Sequence, residues 1–135
     1  MRRTSMPRLG SALVLLAGLL TAATASAHHG RGATYDVDKL ITIEGTVTEW
    51  AWRNPHVVLY VDVKGADGKI VNWALESQNV SSLSRLGMAR RSFLPGQEIT
   101  VKFNPSRAGA PVGVIRRVYD NTGKETLAWG GPIDE

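Results

Sequence analysis

The sequence contains no cysteine, and this absence excludes several kinds of stabilisation and several kinds of site. Disulfide bonds, which stabilise many small domains in oxidising compartments, cannot form. Metal sites built on thiolates are excluded for the same reason, as is lipid attachment through an N-terminal cysteine. The fold must therefore be stabilised by its hydrophobic core.

A strong excess of charge of one sign is also lacking once the first 27 residues are set aside. The full chain has 16 Lys and Arg against 12 Asp and Glu, a net charge of +4. Three of the arginines and none of the acids lie in those 27 residues, so 13 basic and 12 acidic residues remain. A nucleic-acid-binding domain needs a clustered basic face. We interpret the doublets Arg90-Arg91 and Arg116-Arg117 as solvated surface, and nucleic acid is not an expected partner.

No hydrophobic run is long enough to span a bilayer, and the apolar run at 13–20 fits another role. It follows arginines at positions 2, 3 and 8 and precedes Ala25-Ser26-Ala27, which is the order of a secretory signal peptide. We expect cleavage after Ala27, which makes His28 the first residue of a periplasmic protein. Cleavage after Ala25 is the alternative. The arginine pair raises the twin-arginine export route, but general secretion is favoured.

The 108 residues after the signal peptide suit a single domain. Residues 28–38 are polar and contain glycine, so we expect a flexible N-terminal arm. Residues 39–130 are predicted to form the domain, and residues 131–135 a C-terminal tail.

Alternation of apolar and polar residues predicts five strands and a short sixth segment. The predicted segments are 40–52, 56–63, 70–76, 98–103, 112–119 and 126–129. The pattern changes at 79–88, which predicts a short helix capped by Ser81 or Ser82, with Leu83 and Leu86 facing inwards.

A helix between the third and fourth of five strands is the order of a small Greek-key barrel of the OB type. We therefore predict an all-β fold, a small OB-like β-barrel of five to six strands with one short helix between strands three and four. The alternative is an open β-sandwich, which would have no helix in that position.

Several short motifs resemble those of a family of small exported bacterial proteins of unknown function. They are Gly45-Thr46-Val47, Trp52-x-Asn54-Pro55-His56, Asp67-Gly68-Lys69, Trp73-x-x-Glu76, Leu86-Gly87 and Pro95-Gly96. The resemblance covers nearly all of the mature chain and implies a signal peptide, a His-His start and one β-rich domain. It implies no activity. A looser similarity to periplasmic OB-fold proteins implies a barrel and a non-catalytic role.

Two histidines follow the predicted cleavage point, and a third lies where the second strand begins. An N-terminal histidine chelates Cu(II) through its amine and ring nitrogen, and another histidine completes a three-nitrogen set. We identify His28, His29 and His56 as candidate copper ligands. Cleavage after Ala25 would instead leave Ser26-Ala27-His28, which also holds copper. The alternative interpretation is that the pair is only a polar start and that His56 caps a turn or packs on a tryptophan.

Aromatic residues form a second candidate site, made of Trp50, Trp52, Tyr60 and Trp73. OB barrels bind ligands on strands two and three, where aromatic side chains stack. Trp50 is in phase with the polar residues of its strand, so it is exposed unless a bulge near Gly45 switches the phase. The alternative is that the tryptophans fill the core of the barrel.

The candidate ligand-binding residues are Trp50, Trp52, Asn54, His56, Trp73 and Glu76. His56 with Glu76 resembles an acid–base pair, and Arg107 an anion clamp, but no second catalytic partner stands at a telling spacing, so no catalytic residue is predicted. The sequence thus predicts a periplasmic, non-catalytic binding or accessory module for a small ligand or a periplasmic protein. The alternative is a copper-binding protein that uses the mature N-terminal histidines and His56.

Overall fold

Six β-strands and one short helix are present in residues 32–133, the part of the chain that the computed structural model describes. The strands are β1 (Ile41–Ala51), β2 (Val58–Lys64), β3 (Ile70–Glu76), β4 (Glu98–Pro105), β5 (Val112–Asp120) and β6 (Glu125–Ala128), and the helix is α1 (Val80–Arg85). Each predicted strand and the helix overlap an observed element. The predicted signal peptide and the pair His28-His29 lie outside the described residues.

The first five strands close into a barrel. β1 pairs antiparallel with β2 and with β4, β2 pairs with β3, and β4 pairs with β5. A short parallel pairing between β3 and β5, from Ala74↔Val112 to Glu76↔Val114, completes the ring. β6 is an extra strand that pairs with β5. The predicted OB-like barrel, with its helix between β3 and β4, is confirmed, and the open sandwich is not observed.

The core lies inside the ring and is built from alternate residues of the strands. Fully buried examples are Leu59, Val61, Leu75, Val101, Phe103 and Val118. The largest of them, Phe103, requires a glycine at position 113 of β5, because a Cβ there would overlap the Phe103 ring. The alternation that predicted the strands therefore also places one side of each strand in the core, although Val71 at the start of β3 is 42% exposed.

The first strand contains the bulge on which the placement of Trp50 depends. The register between β1 and β2 shifts between Val47 and Glu49, after Gly45. Gly45 itself permits close approach of β2, because a Cβ there would overlap the carbonyl oxygen of Asp62. Since the shift moves later residues to the other face, Trp50 is buried, with 7% of its surface exposed.

The helix differs in detail from the prediction. It is capped by Asn79, whose side chain accepts a hydrogen bond from the backbone N–H of Ser82 at 2.8 Å, so the predicted serine cap was wrong. Leu83 is fully buried as predicted, but Leu86 is 52% exposed. The reason is that α1 ends at Arg85 and the chain turns at Leu86. Within residues 32–133, no helix is long and apolar enough to cross a membrane.

One basic doublet is not the solvated surface that was predicted. Only 11% of the Arg117 side chain is exposed, and its guanidinium donates to the carbonyl oxygens of Trp129 and Gly131 at 2.9 and 2.8 Å. Arg116 also donates to Trp129, at 3.2 Å. The doublet therefore holds the chain beyond β6 against β5.

Candidate functional site

The segment before β1 is bonded to the barrel. Tyr35 forms a β-bridge with Ser106, and the backbone N–H of Asp36 donates to the carbonyl oxygen of Pro105 at 2.8 Å. The ring of Tyr35 is 9% exposed. The described part of the predicted arm, residues 32–38, is thus not free, and the contacts of the domain begin before residue 39. Burial of the Tyr35 ring explains this attachment, because it removes a large apolar area from water.

Arg107 strengthens this attachment. Its backbone N–H donates to the carbonyl oxygen of Thr34 at 3.0 Å, and its Nε donates to that of Gly32 at 3.1 Å. Its Nη2 lies 3.5 Å from Oδ1 of Asp36. The guanidinium that resembled an anion clamp therefore contacts an acid of its own chain.

The carboxylate of Glu76 joins two side chains that are distant in sequence. The hydroxyl of Tyr35 donates to Oε2 of Glu76 at 2.8 Å. Oε1 of the same carboxylate contacts Nδ1 of His56. We call these three residues the polar cluster. Exposure increases along it, because 21% of the Glu76 side chain and 44% of the His56 side chain are accessible to water.

The place of Glu76 follows from how the barrel closes. It is the last residue of β3, where it pairs with Val58 of β2 on one side and with Val114 of β5 on the other. Both edges of its backbone are therefore occupied at the position where the ring is completed. A residue held on both edges has little backbone freedom, so the side chain of Glu76 extends from a fixed point.

His56 is held opposite Glu76 by hydrogen bonds that extend the β2–β3 pairing. The backbone N–H of Val57 donates to the carbonyl oxygen of Gln78 at 2.9 Å, and that of Ser77 donates to Val57 at 2.8 Å. The main chain beside His56 is thus fixed to the main chain that follows Glu76. The predicted proximity of His56 and Glu76 is real, and it arises from neighbouring strands rather than from sequence spacing.

The contact with Glu76 selects a tautomer of the neutral imidazole. An ionised carboxylate only accepts hydrogen bonds, so the tautomer that fits the contact has its proton on Nδ1 and its lone pair on Nε2. Glu76 is the partner of the His56 side chain within residues 32–133, and it occupies Nδ1 alone. A carboxylate behind one ring nitrogen is the usual arrangement of a histidine that binds a metal through the other. Nε2 of His56 is chemically suited to a metal or to a polar ligand.

The polar cluster does not by itself make a metal centre. In the described part of the chain, no group of three or more His, Asp or Glu side chains is placed to hold a metal ion. His56 would supply one imidazole, and further donors must come from elsewhere. The other candidates, His28 and His29, lie outside the described residues.

The tryptophans named as ligand-binding candidates pack in the core or against it. Nε1 of Trp50 donates to the carbonyl oxygen of Ala89 at 3.0 Å, and its ring meets Phe93 edge-on with centroids 5.1 Å apart. Trp52 is half-buried, with its ring 5.8 Å from that of Trp50. Trp73 is half-buried against Phe103, with ring centroids 5.1 Å apart. These contacts are those that a small barrel needs for packing, and a ligand-binding role for the three rings stays a prediction.

Asn54 makes a structural contact. Its Oδ1 accepts a hydrogen bond at 3.1 Å from the backbone N–H of Val80, the first residue of α1. The free amides at the start of a helix need such partners. Asn54 therefore ties the chain before His56 to α1, and its predicted role in ligand binding is also untested.

The polar cluster contains one residue that sequence reasoning missed. Tyr35 was assigned to a flexible arm, although it contacts Glu76 across 41 positions of the chain. The signal available in the sequence was a large aromatic residue within an otherwise polar segment. Such a residue is a natural anchor, because its ring is apolar and its hydroxyl needs a partner when buried.

The motif resemblance predicted a family of unknown function, and comparison with known families confirms it. Comparison with curated proteins finds no match. The model of DUF6152, described as a family of unknown function, matches residues 16–116, and the chain belongs to that family.

Proposed function

We propose that this protein is an exported, non-catalytic binding module, and that its ligand is Cu(II) held by Nε2 of His56. The observation that supports this most is the contact between His56 Nδ1 and the carboxylate of Glu76. It leaves Nε2 as the nitrogen with a lone pair, on a side chain that is 44% exposed. Orientation by a carboxylate and access to solvent are the two properties that a metal-binding histidine needs.

Tyr35 gives this orientation a second support. Its hydroxyl donates to the other oxygen of the Glu76 carboxylate at 2.8 Å. The carboxylate therefore has one oxygen fixed by a buried tyrosine and one oxygen for the histidine. Ligating side chains held in this way lose less freedom when the metal binds.

The remaining donors in this proposal are the histidines and the amine at the start of the mature chain. Residues 28 and 29 lie outside the described residues, so their part in the site is proposed from the sequence. An α-amine with a pKa near ~7.7–8.0 gives up its proton to a metal at neutral pH, and nitrogen donors suit the tetragonal preference of Cu(II).

Storage or delivery of copper fits the molecule better than oxidative catalysis. OB barrels use exposed aromatic rings as stacking platforms for their ligands. Here Trp50 is buried, and Trp52, Tyr60 and Trp73 are half-buried. Binding of the metal alone is therefore the role that we propose.

The test begins with the exported protein purified from the periplasm. Intact mass determines whether the chain begins at His28, and Cu(II) is then titrated against a competing chelator. We expect one Cu(II) per chain. His56→Ala should lower the affinity by at least about 100-fold. Mutation of a residue that only orients a metal ligand already lowers the affinity by about 10–100-fold, and His56 is the ligand itself.

Arg53→Ala is the matched control. Arg53 is exposed, lies just after the end of β1 and three residues before His56, and its side chain forms an ion pair with Glu49 at 3.5 Å. This substitution should leave the affinity unchanged. Weak copper binding, or equal binding by His56→Ala and the control, would overturn the copper proposal. The search for a ligand would then move to the aromatic residues.

A further inference from the structure

Positive charge is concentrated in one stretch of the chain, residues 77–97. This stretch contains Arg85, Arg90 and Arg91 and neither Asp nor Glu. The rest of the chain after residue 27 has 10 basic and 12 acidic residues. The near-neutral balance of the mature chain therefore hides a separation of charge between this stretch and the remainder.

The three arginines are exposed and not neutralised. All three side chains lie at the surface. Arg85 donates to the hydroxyls of Ser81 and Ser82 at 2.8 and 3.2 Å, which are uncharged partners. Among the described residues, none of the three forms an ion pair.

Elsewhere on the barrel, most arginines have acidic partners. Arg53 lies 3.5 Å from Glu49, Arg107 lies 3.5 Å from Asp36, and Arg117 lies 3.3 Å from Glu125, whereas Arg116 bonds to Asn104 and to backbone carbonyls. Among the described residues, the stretch 77–97 is therefore the part of the chain in which three arginines lie without an ion pair.

Two leucines are exposed next to these arginines. Leu86 follows Arg85 and is 52% exposed, and Leu94 lies three residues after Arg91 and is 39% exposed. A leucine left in water gains free energy when it is transferred to an apolar environment. We call Arg85, Leu86, Arg90, Arg91 and Leu94 the arginine–leucine surface.

The backbone below this surface is fixed to the barrel. The carbonyl oxygen of Ala89 accepts from Nε1 of Trp50 at 3.0 Å, and its N–H donates to the hydroxyl of Ser92 at 2.8 Å. Phe93 is 4% exposed and packs against Trp50. The buried rings hold the loop from below, so Arg90, Arg91 and Leu94 are presented outwards without a large cost in backbone entropy.

We propose that the arginine–leucine surface docks the protein on an anionic lipid membrane. Arginines near a membrane surface are attracted by anionic headgroups, while leucines beside them enter the boundary between headgroups and acyl chains. A lipid surface offers anionic headgroups and an apolar layer together, so the exposed leucines beside the arginines favour lipid over an acidic protein partner.

The experiment is flotation of the mature protein with two kinds of vesicle. One kind contains phosphatidylcholine alone, and in the other phosphatidylglycerol replaces a quarter of the phosphatidylcholine. We expect binding that requires phosphatidylglycerol and weakens as ionic strength rises. Arg90→Gln with Arg91→Gln should lower the partition coefficient about 25-fold, which corresponds to about 5-fold per arginine. Leu86→Ser with Leu94→Ser should lower it roughly 10-fold, because the apolar part of the contact is lost.

The matched control is Lys64→Gln with Lys124→Gln, which removes two positive charges from exposed positions outside the surface. It should change the partition coefficient less than about 2-fold. Circular dichroism of every variant confirms that the barrel is intact.

Three outcomes would overturn the proposal. One is the absence of binding to phosphatidylglycerol vesicles. Another is an equal loss in the arginine variant and the lysine control, which would indicate a general charge effect. The third is a combination of two results. The protein binds soluble polyglutamate and loses this binding in the arginine variant, while the leucine variant binds vesicles as well as the wild type. That combination would indicate an acidic protein partner.

Discussion

The aromatic residues and the pair His56 and Glu76 were both candidates for ligand binding, and the barrel surrounds the aromatic residues and the polar cluster differently. Trp50 is 7% exposed, and its one polar atom is bonded to Ala89. In the polar cluster, the inner residue Tyr35 is buried while the outer residue His56 keeps 44% of its side chain exposed. A small barrel needs its large rings for packing. A polar side chain that is oriented from behind and open in front is better suited to bind a ligand.

This contrast predicts that the two sets respond to substitution in opposite ways. The aromatic residues should affect stability and leave copper binding alone. The polar cluster should affect copper binding more than stability. Substitutions in each set, ordered by the size of the expected effect, sharpen or break the comparison.

The largest effect is expected for Trp50→Ala. Removal of a buried indole leaves a cavity and should reduce the free energy of unfolding by about 3–5 kcal/mol, measured by urea denaturation. Copper affinity of the folded fraction should stay the same. A loss of copper binding with little loss of stability would place Trp50 in the ligand site and break the comparison.

Glu76→Gln comes next and acts on affinity. The amide keeps the shape of the side chain but loses the charge that fixes the proton on Nδ1 of His56. Cu(II) affinity should fall about 10–100-fold in competition titrations. Glu44→Gln, at an exposed residue of β1, is the matched control and should have no effect. Equal affinities for the two variants would show that Glu76 does not orient a metal ligand.

Tyr35→Phe should have a smaller effect on both properties. It removes the hydrogen bond of 2.8 Å to Glu76 and keeps the buried ring. The free energy of unfolding should fall by about 0.5–1.5 kcal/mol, the usual contribution of one hydrogen bond. Copper affinity should fall less than in Glu76→Gln, since His56 keeps its charged partner. A larger loss of affinity in Tyr35→Phe than in Glu76→Gln would contradict the order of the cluster.

The smallest effect concerns Asp120, which belongs to neither set. A hydrogen bond of 2.6 Å from the Thr122 hydroxyl, helped by the backbone amides of Thr122 and Lys124, lowers the pKa of Asp120 below its ordinary value of 3.8. A lowered pKa in the folded state stabilises the fold above pH 3.8, and this contribution is lost as the pH falls through the lowered pKa.

Asp120→Asn should therefore flatten the acid side of the stability profile. Urea denaturation between pH 2 and pH 5 measures the change, and copper affinity at neutral pH should stay that of the wild type. An unchanged pH profile would show that the Thr122 hydrogen bond does not favour the ionised carboxylate.

The sequence predicted the barrel well because strand alternation and turn residues are local signals. Leu59, Leu75 and Val101 belong to the apolar sets of the predicted alternating strands, and all three are fully buried. The prediction that Leu86 faces inwards was wrong. The helix α1 ends at Arg85, one residue before Leu86, and hydrophobic periodicity does not show at which residue a helix ends. The burial of Trp50 depends on a bulge that the sequence offered as one of two alternatives near Gly45, and the register shift does lie after Gly45, between Val47 and Glu49.

The candidate site was only partly predictable. His56 and Glu76 were both named, because the residue types are reactive and the strands were assigned correctly. Tyr35 was missed since its contact with Glu76 depends on how a polar segment runs over the finished barrel. Arg90 and Arg91 were interpreted as ordinary surface, and their lack of ion pairs among the described residues becomes evident only from the ion pairs elsewhere.

The most direct test of copper binding by His56 is pulsed EPR of the Cu(II)-loaded mature protein. The remote nitrogen of each equatorial imidazole gives a modulation that counts the coordinated histidines. The wild-type protein should show one more coordinated imidazole than His56→Ala. Glu76→Gln should keep the number of imidazoles but change the modulation from Nδ1 of His56, because this substitution alters the partner of that nitrogen. The same imidazole count in wild type and His56→Ala would contradict the proposal that His56 binds the metal.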